Sequence, residues 1–179
     1  VREAEDMVAA ERALSAFGAP DLLGIMLLIE TPAAVLNLHA IVKASPRTNG
    51  LIAGGLDYAT ETHSLSILPV GLGARPGRHD EDLIYMRQHV LAVARAYGLS
   101  ALEAMRPGLL SDLDGFRADA EAARWLGFDG VDLYHPSFIA IANEVFTPSA
   151  EELTWAEQIL GSNESVDSFR PASRKVDGR

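Results

Sequence analysis

The sequence predicts an α/β fold built on a parallel sheet, because strand-like and helix-like segments alternate along the chain. Short apolar runs of strand length are separated by longer segments in which apolar residues recur at helical spacing. The connections between them are short, which is typical of βα units that return the chain to the same edge of one sheet. Four such units are half of an eight-stranded (β/α)₈ barrel, and 179 residues are enough for one ordinary domain.

Four apolar runs are the predicted strands. The first is almost continuously apolar, which is typical of a strand buried on both faces. The predicted strands are Leu22–Ile29, Gly50–Gly54, Ala101–Met105 and Val131–Tyr134.

Helical spacing of apolar residues, together with capping residues, predicts the segments between the strands. Thr31 and Pro32 are a typical N-cap and first helical residue. Gly98 and Gly127 are typical residues beyond a helix C-terminus. We predict helices over Val1–Phe17, Pro32–Ala44, Asp57–Ser64, Glu81–Tyr97, Asp112–Leu126, Ser137–Val145 and Ser149–Leu160, and a loop over Pro69–Gly77.

The composition argues against several classes of function. A formal net charge of −10 disfavours binding to nucleic acid and to anionic membrane surfaces, since both depend on Lys and Arg. The chain has no cysteine, which excludes thiolate chemistry and fits a cytoplasmic location. The longest apolar stretch, Leu22–Ile29, is too short to span a bilayer. We expect residues 1–162 to form a partial barrel domain and residues 163–179 to form a polar C-terminal tail.

Two acids stand where the first two strands end, Glu30 after one strand and Asp57 after the other. Parallel strands end at the same edge, and in α/β barrels this edge carries the chemistry. Two carboxylates without a neighbouring Cys or His indicate an oxygen-ligand site for a hard cation such as Mg²⁺. In the alternative interpretation both acids merely stabilise helix N-termini, with Asp57 as the N-cap of a helix that begins at Tyr58. Gly54 and Gly55 favour a ligand, because they let it approach the backbone.

Other polar and aromatic residues permit two interpretations each. His135, after the fourth strand, is either a general acid/base or substrate contact, or a structural residue that hydrogen-bonds a neighbouring loop. Glu103 either points into a barrel or, as we favour, is a buried acid paired with an arginine. We interpret Trp125 and Trp155 as packing residues.

Several motifs, taken in order, resemble the citrate lyase β-subunit and HpcH/HpaI aldolase superfamily, in particular its CitE-like branch. The matching motifs lie between about Leu22 and Leu160. They are Leu28–Asn37, Gly50–Tyr58, Ala92–Gly98, Leu126–Gly130 with His135–Ser137, and Asn143–Glu152.

This resemblance implies a TIM-type (β/α)₈ barrel of which the chain carries about strands 5–8. It implies a carbon–carbon lyase that cleaves or forms a short-chain hydroxyacyl-CoA or 2-oxo acid. Glu30 and Asp57 would hold Mg²⁺, or Mn²⁺ as an alternative, and the metal would stabilise the enolate. Backbone amides of Gly55, Leu56 and Asp57 would bind the substrate carboxylate. Family members often form homo-oligomers, which we expect here as well.

The resemblance has departures that leave alternatives open. Leu56 stands where the family often has an acid, which bears on substrate preference, and the family's first four strands have no counterpart. We therefore expect a fragment, or a chain that pairs with another half-barrel. One alternative is an HpcH/HpaI-type aldolase that acts on free hydroxy-oxo acids. Another is a non-catalytic, barrel-derived subunit or interaction module.

Overall fold

The computed structural model describes residues 1–65, 81–105 and 110–161. Within these ranges, helices and strands alternate as predicted. The strands are β1 (Ile25–Ile29), β2 (Thr48–Gly54), β3 (Ser100–Ala104) and β4 (Gly130–Asp132). The helices are α1 (Ala4–Ala16), α2 (Pro32–Lys43), α3 (Gly55–Glu61), α4 (Ile84–Tyr97), α5 (Leu113–Leu126), α6 (Ile139–Phe146) and α7 (Ala150–Gly161), with a 3-10 turn at Pro136–Phe138.

The strands form one four-stranded sheet in the order β1-β2-β3-β4, and every neighbouring pair is parallel. Ile29 lies opposite Ala53, Ala53 opposite Glu103, and Glu103 opposite Val131. All four strands therefore end at the same edge of the sheet. The predicted α/β class with a parallel sheet is confirmed.

The contacts divide the chain into two compact units, Val1–Phe146 and Thr147–Arg179. The second unit contains α7, where Ser149 and Glu152 exchange hydrogen bonds of 2.7 and 3.1 Å at the start of the helix. The predicted boundary between residues 162 and 163 and the predicted loop Pro69–Gly77 lie outside the described residues. In the part of the chain that the structure describes, no helix is long and apolar enough to cross a membrane.

One face of the sheet packs against helices and forms the main core. Leu27, Ile29, Leu51, Ala53 and Ala101 point to this face and are buried. They pack with buried residues of α2 and α4, which are Ala34, Val35, Leu38, Ile41, Val42, Met86, Val90, Leu91 and Ala94.

The other face of β1 differs from the sequence-based expectation. Met26 and Leu28 alternate with the buried residues and are 42% and 36% exposed. The expectation that this strand is buried on both faces is wrong for the part of the chain that the structure describes. In a closed barrel, residues at these alternate positions fill the interior.

The first strand also begins later than predicted. The chain from Pro20 to Leu23 forms a turn, in which the Leu23 N–H donates to the Pro20 carbonyl oxygen at 3.0 Å. The Arg47 guanidinium holds this turn, because it donates to the carbonyl oxygens of Pro20 (2.6 Å) and Leu23 (3.2 Å). Leu22 is 99% exposed as a result. Pairing with β2 starts only at Ile25, whose N–H donates to the Arg47 carbonyl oxygen.

Several helix ends follow their predicted signals. Thr31 caps α2, since its hydroxyl oxygen accepts a hydrogen bond from the Ala34 N–H at 3.1 Å. Gly98 and Gly127 end α4 and α5 with left-handed φ angles of 65° and 108°, a conformation that suits glycine. The helix predicted from Ser137 is instead a 3-10 turn followed by α6.

Trp125 and Trp155 do not pack in the core. They are 86% and 58% exposed, so the interpretation of both as packing residues is wrong. Helix α5 buries Phe116, Ala120 and Ala123. Trp125 follows Ala123 by two positions, which places it on the opposite side of the helix.

A buried ion pair joins α4 to the sheet. The Nε atom of Arg87 lies 3.0 Å from Oε2 of Glu103, and the two side chains are 5% and 9% exposed. The Arg87 guanidinium also lies 6.0 Å from the centre of the Phe128 ring. Glu103 points towards α4, and the favoured interpretation of a buried acid paired with an arginine is confirmed.

A second ion pair ties helix α4 to the N-terminal edge of the sheet. The Asp129 carboxylate accepts hydrogen bonds of 2.8 and 2.9 Å from Arg95 and one of 2.8 Å from the Ala101 N–H. These hydrogen bonds lower the pKa of Asp129 below its ordinary value. Asp129 thus holds the start of β3 in place.

We expect Arg87→Met to lower the free energy of unfolding by about 3–5 kcal/mol, because it leaves the Glu103 carboxylate buried without its arginine. Urea unfolding followed by circular dichroism measures this change. Arg87→Met combined with Glu103→Leu should recover most of the loss. Arg117→Gln is the matched control, because it breaks the exposed pair with Glu144 and should change stability little. A double variant as unstable as Arg87→Met would contradict the expectation.

Candidate metal and substrate site

Glu30 is placed by the junction between β1 and α2. It directly follows the last residue of the strand and precedes the N-cap Thr31, whose side chain is buried and bonded to the helix. The backbone on both sides of Glu30 is therefore fixed. Its carboxylate lies near the N-terminus of α2, where the helix dipole favours negative charge.

Asp57 lies in the first turn of α3, which begins at Gly55 directly after β2. The alternative in which Asp57 is the N-cap of a helix from Tyr58 is wrong, because Gly54 occupies the N-cap position. The early start of the helix brings Asp57 back over the strand ends. It is exposed, whereas its neighbours Gly55 and Tyr58 are buried.

The structure places the carboxyl groups of Glu30 and Asp57 beside each other on the same cavity. Burial, then the neighbouring negative charge of Asp57 and the hydrogen bond with it, raise the pKa of Glu30 above its ordinary value. The charge of Glu61 acts in the same direction. Two negative charges so close together disfavour simultaneous ionisation of Glu30 and Asp57, and a bound cation would relieve this repulsion.

The two glycines before Asp57 fit close neighbours within the protein. A Cβ atom on Gly54 would lie 2.7 Å from the Cβ of Glu30 and 3.1 Å from Cδ1 of Leu28. A Cβ atom on Gly55 would lie 2.6 Å from Cδ1 of Leu83. Gly54 therefore leaves the room that Glu30 occupies, and Gly55 lets α3 pack against Leu83.

A cavity of about 260 Å³ lies at these strand ends. Its lining residues are Val1, Arg2, Glu30, Thr31, Asp57, Thr60 and Glu61. Arg2, Thr60 and Glu61 were not among the sequence-predicted site residues. Glu61 could have been found, because it follows Asp57 by four positions and so shares its helix face. Arg2 precedes α1 and carries no local signal that would place it here.

The amides predicted to bind a substrate carboxylate lie in the first turn of α3. The N–H groups of Gly55, Leu56 and Asp57 belong to the set that has no acceptor within an α-helix. Leu56 is 46% exposed. Asp57 lines the cavity, whereas Gly55 and Leu56 are not among its lining residues.

His135 lies apart from this cavity and has a structural role. Its Nδ1 accepts a hydrogen bond from the Ser137 N–H at 3.2 Å and lies 2.9 Å from the Ser137 hydroxyl. It thereby caps the 3-10 turn Pro136–Phe138. The interpretation as a structural residue accounts for these contacts, and a catalytic role for His135 stays a prediction.

The donor set suits a hard divalent cation with few protein ligands. Across residues 1–65, 81–105 and 110–161, no group of three or more His, Cys, Asp or Glu side chains could together hold a metal ion. Mg²⁺ needs only one or two protein carboxylates, since water and substrate oxygens complete its octahedron. Glu30 and Asp57 fit this requirement.

This chain is similar to known proteins both in sequence and in fold. The chain is 29% identical over 143 residues to mitochondrial citramalyl-CoA lyase of Mus musculus, a match that covers 78% of this chain and 40% of that protein. It is 33% identical over 157 residues to (3S)-malyl-CoA thioesterase of Cereibacter sphaeroides, covering 85% and 49%. The chain thus spans about half the length of these relatives or less.

A solved structure of CitE from Mycobacterium tuberculosis, in complex with magnesium, acetoacetate and coenzyme A, has the same fold. The TM-score is 0.65 at 24% identity, and the match covers 94% of this chain and 66% of that one. The parallel sheet described above is therefore of the TIM-barrel-like type found in citrate lyase β-subunits. The family model for HpcH/HpaI aldolase/citrate lyase matches residues 1–136, about three quarters of the sequence, and the chain belongs to this family.

Proposed function

We propose that this chain carries the metal-binding part of a Mg²⁺-dependent carbon–carbon lyase. Its substrate would be a short-chain hydroxyacyl-CoA or 2-oxo acid. The observation that carries the proposal is the convergence of Glu30 and Asp57 at the C-terminal edge of a parallel sheet, on one small cavity. The names of the relatives, a citramalyl-CoA lyase and a malyl-CoA thioesterase, support CoA esters of hydroxy acids as the substrate class.

In this proposal Glu30 and Asp57 supply the protein oxygen ligands of the cation. When bound, Mg²⁺ supplies Lewis-acid chemistry, because it polarises a carbonyl oxygen and stabilises negative charge on it. The chain itself orients the two carboxylates. The Thr31 cap fixes the backbone next to Glu30, the first turn of α3 carries Asp57, and Gly54 leaves room for Glu30 because it has no side chain. The N–H groups of Gly55, Leu56 and Asp57 would orient the substrate carboxylate.

We also propose that the four strands are the second half of an eight-stranded barrel. The support is the sheet order β1-β2-β3-β4, the match to about half of each relative, and the exposure of Met26 and Leu28 on the face that would be the barrel interior. Uncovered apolar sheet faces promote association. A homo-oligomer, or pairing with another half-barrel, remains part of this proposal.

We expect Asp57→Asn to weaken Mg²⁺ binding at least roughly tenfold, because the amide keeps the size of the side chain and loses its charge. Isothermal titration calorimetry with Mg²⁺ alone, and then with pyruvate or oxaloacetate, measures this change. Asp114→Asn is the matched control, since Asp114 is also an exposed acid in the first turn of a helix. Equal affinities for all three chains would exclude Asp57 as a ligand and favour the non-catalytic alternative.

We expect Mg²⁺ affinity to fall on acidification, starting above the pH range in which an ordinary glutamate titrates. Burial and the charge of Asp57 raise the pKa of Glu30, so that this carboxylate takes up a proton at a higher pH than an ordinary exposed glutamate does. Titrations from about pH 7 to about pH 4 should show proton release on Mg²⁺ binding. Proton release that persists unchanged in Glu30→Gln would contradict this assignment.

Stability in the absence of metal gives a second test of Glu30. An acid whose pKa is raised in the folded state contributes stability that is complete below its unfolded pKa and lost as the pH rises through its folded pKa. We expect Glu30→Gln to increase the free energy of unfolding at neutral pH by less than about 1 kcal/mol, because the group is partly solvated. Urea unfolding should show that this gain disappears once the pH is below the ordinary value of 4.5.

We expect Gly54→Ala to weaken Mg²⁺ binding roughly tenfold, a typical effect for a group that positions a metal ligand. The added Cβ displaces Glu30, whose own Cβ and backbone lie 2.7 and 3.4 Å away. Gly50→Ala on the same strand is the matched control, because the nearest atom there is the flexible end of Met26 at 2.7 Å. Calorimetry that finds the same affinity for both variants would separate Gly54 from the site.

A further inference from the structure

We infer that Arg2 is a specificity residue that binds a second carboxylate of the ligand, so that the site selects 2-oxo acids with two carboxylates over those with one. The inference rests on the proposed function, because it assumes that the first carboxylate and the keto oxygen are held at Glu30 and Asp57 through the cation. Four observations on the described residues carry it.

The backbone of Arg2 is held in place independently of the cavity. Its N–H donates to Oδ2 of Asp6 at 2.6 Å, next to a hydrogen bond of 3.1 Å from the Glu3 N–H to the same oxygen. Nδ2 of Asn37 donates to the Arg2 carbonyl oxygen at 3.4 Å. Helices α1 and α2 therefore fix the point from which the guanidinium reaches the cavity.

The present partner of the guanidinium is one that a ligand can replace. Nη2 of Arg2 lies 2.8 Å from Oε1 of Glu61, and the two side chains are 66% and 38% exposed. Exposed ion pairs of this kind contribute little to stability. A ligand carboxylate that engages both arms of the guanidinium forms two charge-assisted hydrogen bonds in parallel.

The position of Glu61 brings Arg2 to the same side of the cavity as the acid pair. Asp57 and Glu61 are four residues apart on α3, so their side chains share one helix face. The Arg2 guanidinium donates a hydrogen bond to Glu61, and the carboxyl group of Glu30 lies beside that of Asp57. A ligand bound to a cation at Asp57 would therefore lie about one turn of α3 away from the Arg2 guanidinium.

The size and charge of the cavity fit a small dianion. At about 260 Å³ it is smaller than the roughly 300–1,000 Å³ of sites for drug-sized molecules. Among its described lining residues, three side chains are acidic and Arg2 carries the one side-chain cation. A divalent cation would offset the charge of Glu30 and Asp57, so that Arg2 is the side-chain cation among the described lining residues that can attract a second carboxylate.

The test compares oxaloacetate with pyruvate, two 2-oxo acids that differ by one carboxylate, on the whole 179-residue chain. Calorimetry first measures Mg²⁺ alone and then each acid at saturating Mg²⁺. We expect Arg2→Gln to reduce the preference for oxaloacetate over pyruvate roughly tenfold, the effect of losing a charge-assisted contact in a solvated site. Mg²⁺ alone should bind to this variant at least as tightly as to the wild type, because the lost charge is positive.

Two further variants make the result specific. Glu61→Gln removes the competing carboxylate and should increase the preference for oxaloacetate. Arg117→Gln removes an arginine of the exposed Arg117–Glu144 pair, which does not line the cavity, and should leave the preference as it is.

The outcomes separate this inference from the proposed function. If Mg²⁺ binds and Asp57→Asn abolishes that binding, the proposed function stands. An unchanged preference in Arg2→Gln, or an equal loss of affinity for both acids, would then overturn the role of Arg2 alone. If Mg²⁺ does not bind to the wild-type chain, the proposed function fails and the inference fails with it.

Discussion

The parallel pairing of β1 with β2 is the constraint on which the candidate site depends. Because Ile29 lies opposite Ala53, the next residues of the two strands, Glu30 and Gly54, also become neighbours. Helix α3 begins at once and turns Asp57 towards Glu30. When both side chains are ionised they repel each other, so they do not come together through their own charges. The backbone brings them together against their mutual repulsion, and a cation is the natural complement of such an arrangement.

Local signals in the sequence were enough to locate the sheet and the two acids. Apolar runs with short connections predicted a parallel α/β fold, and the first two runs were followed by the acids Glu30 and Asp57, which the structure places at the sheet edge. The capping signals at Thr31, Gly98 and Gly127 were equally reliable, because an N-cap threonine or a glycine with positive φ acts within a few residues. The resemblance of the motifs added the identity of the family, which the family model and the relatives confirm.

The features that the sequence did not predict depend on contacts between distant segments. Arg47 delays the start of β1 by bonding to carbonyl groups more than twenty residues earlier in the chain. Arg2 reaches the cavity through a contact with Glu61, 59 residues away. The error at Trp125 has a different origin, because aromatic residues at helical spacing do not reveal which helix face is buried. For Arg47 and Arg2, the residue that decides the structure is too far away along the chain for a local sequence pattern to reveal it.

The ion pair of Arg95 and Asp129 is a clamp at one edge of the sheet, and Glu30 lies at the other edge. The pKa values of Asp129 and Glu30 are shifted in opposite directions. Its hydrogen bonds keep the pKa of Asp129 below the ordinary value, so the stability it supplies is lost only when the pH falls through that lower pKa. Glu30 at the opposite edge titrates above its own ordinary value. There is therefore a pH interval in which the Glu30 carboxyl group is already protonated while the clamp that anchors β3 remains ionised. In that interval, a cation held at the proposed site would be released while the contacts that anchor β3 stay intact, so loss of the cation would not require loss of the fold.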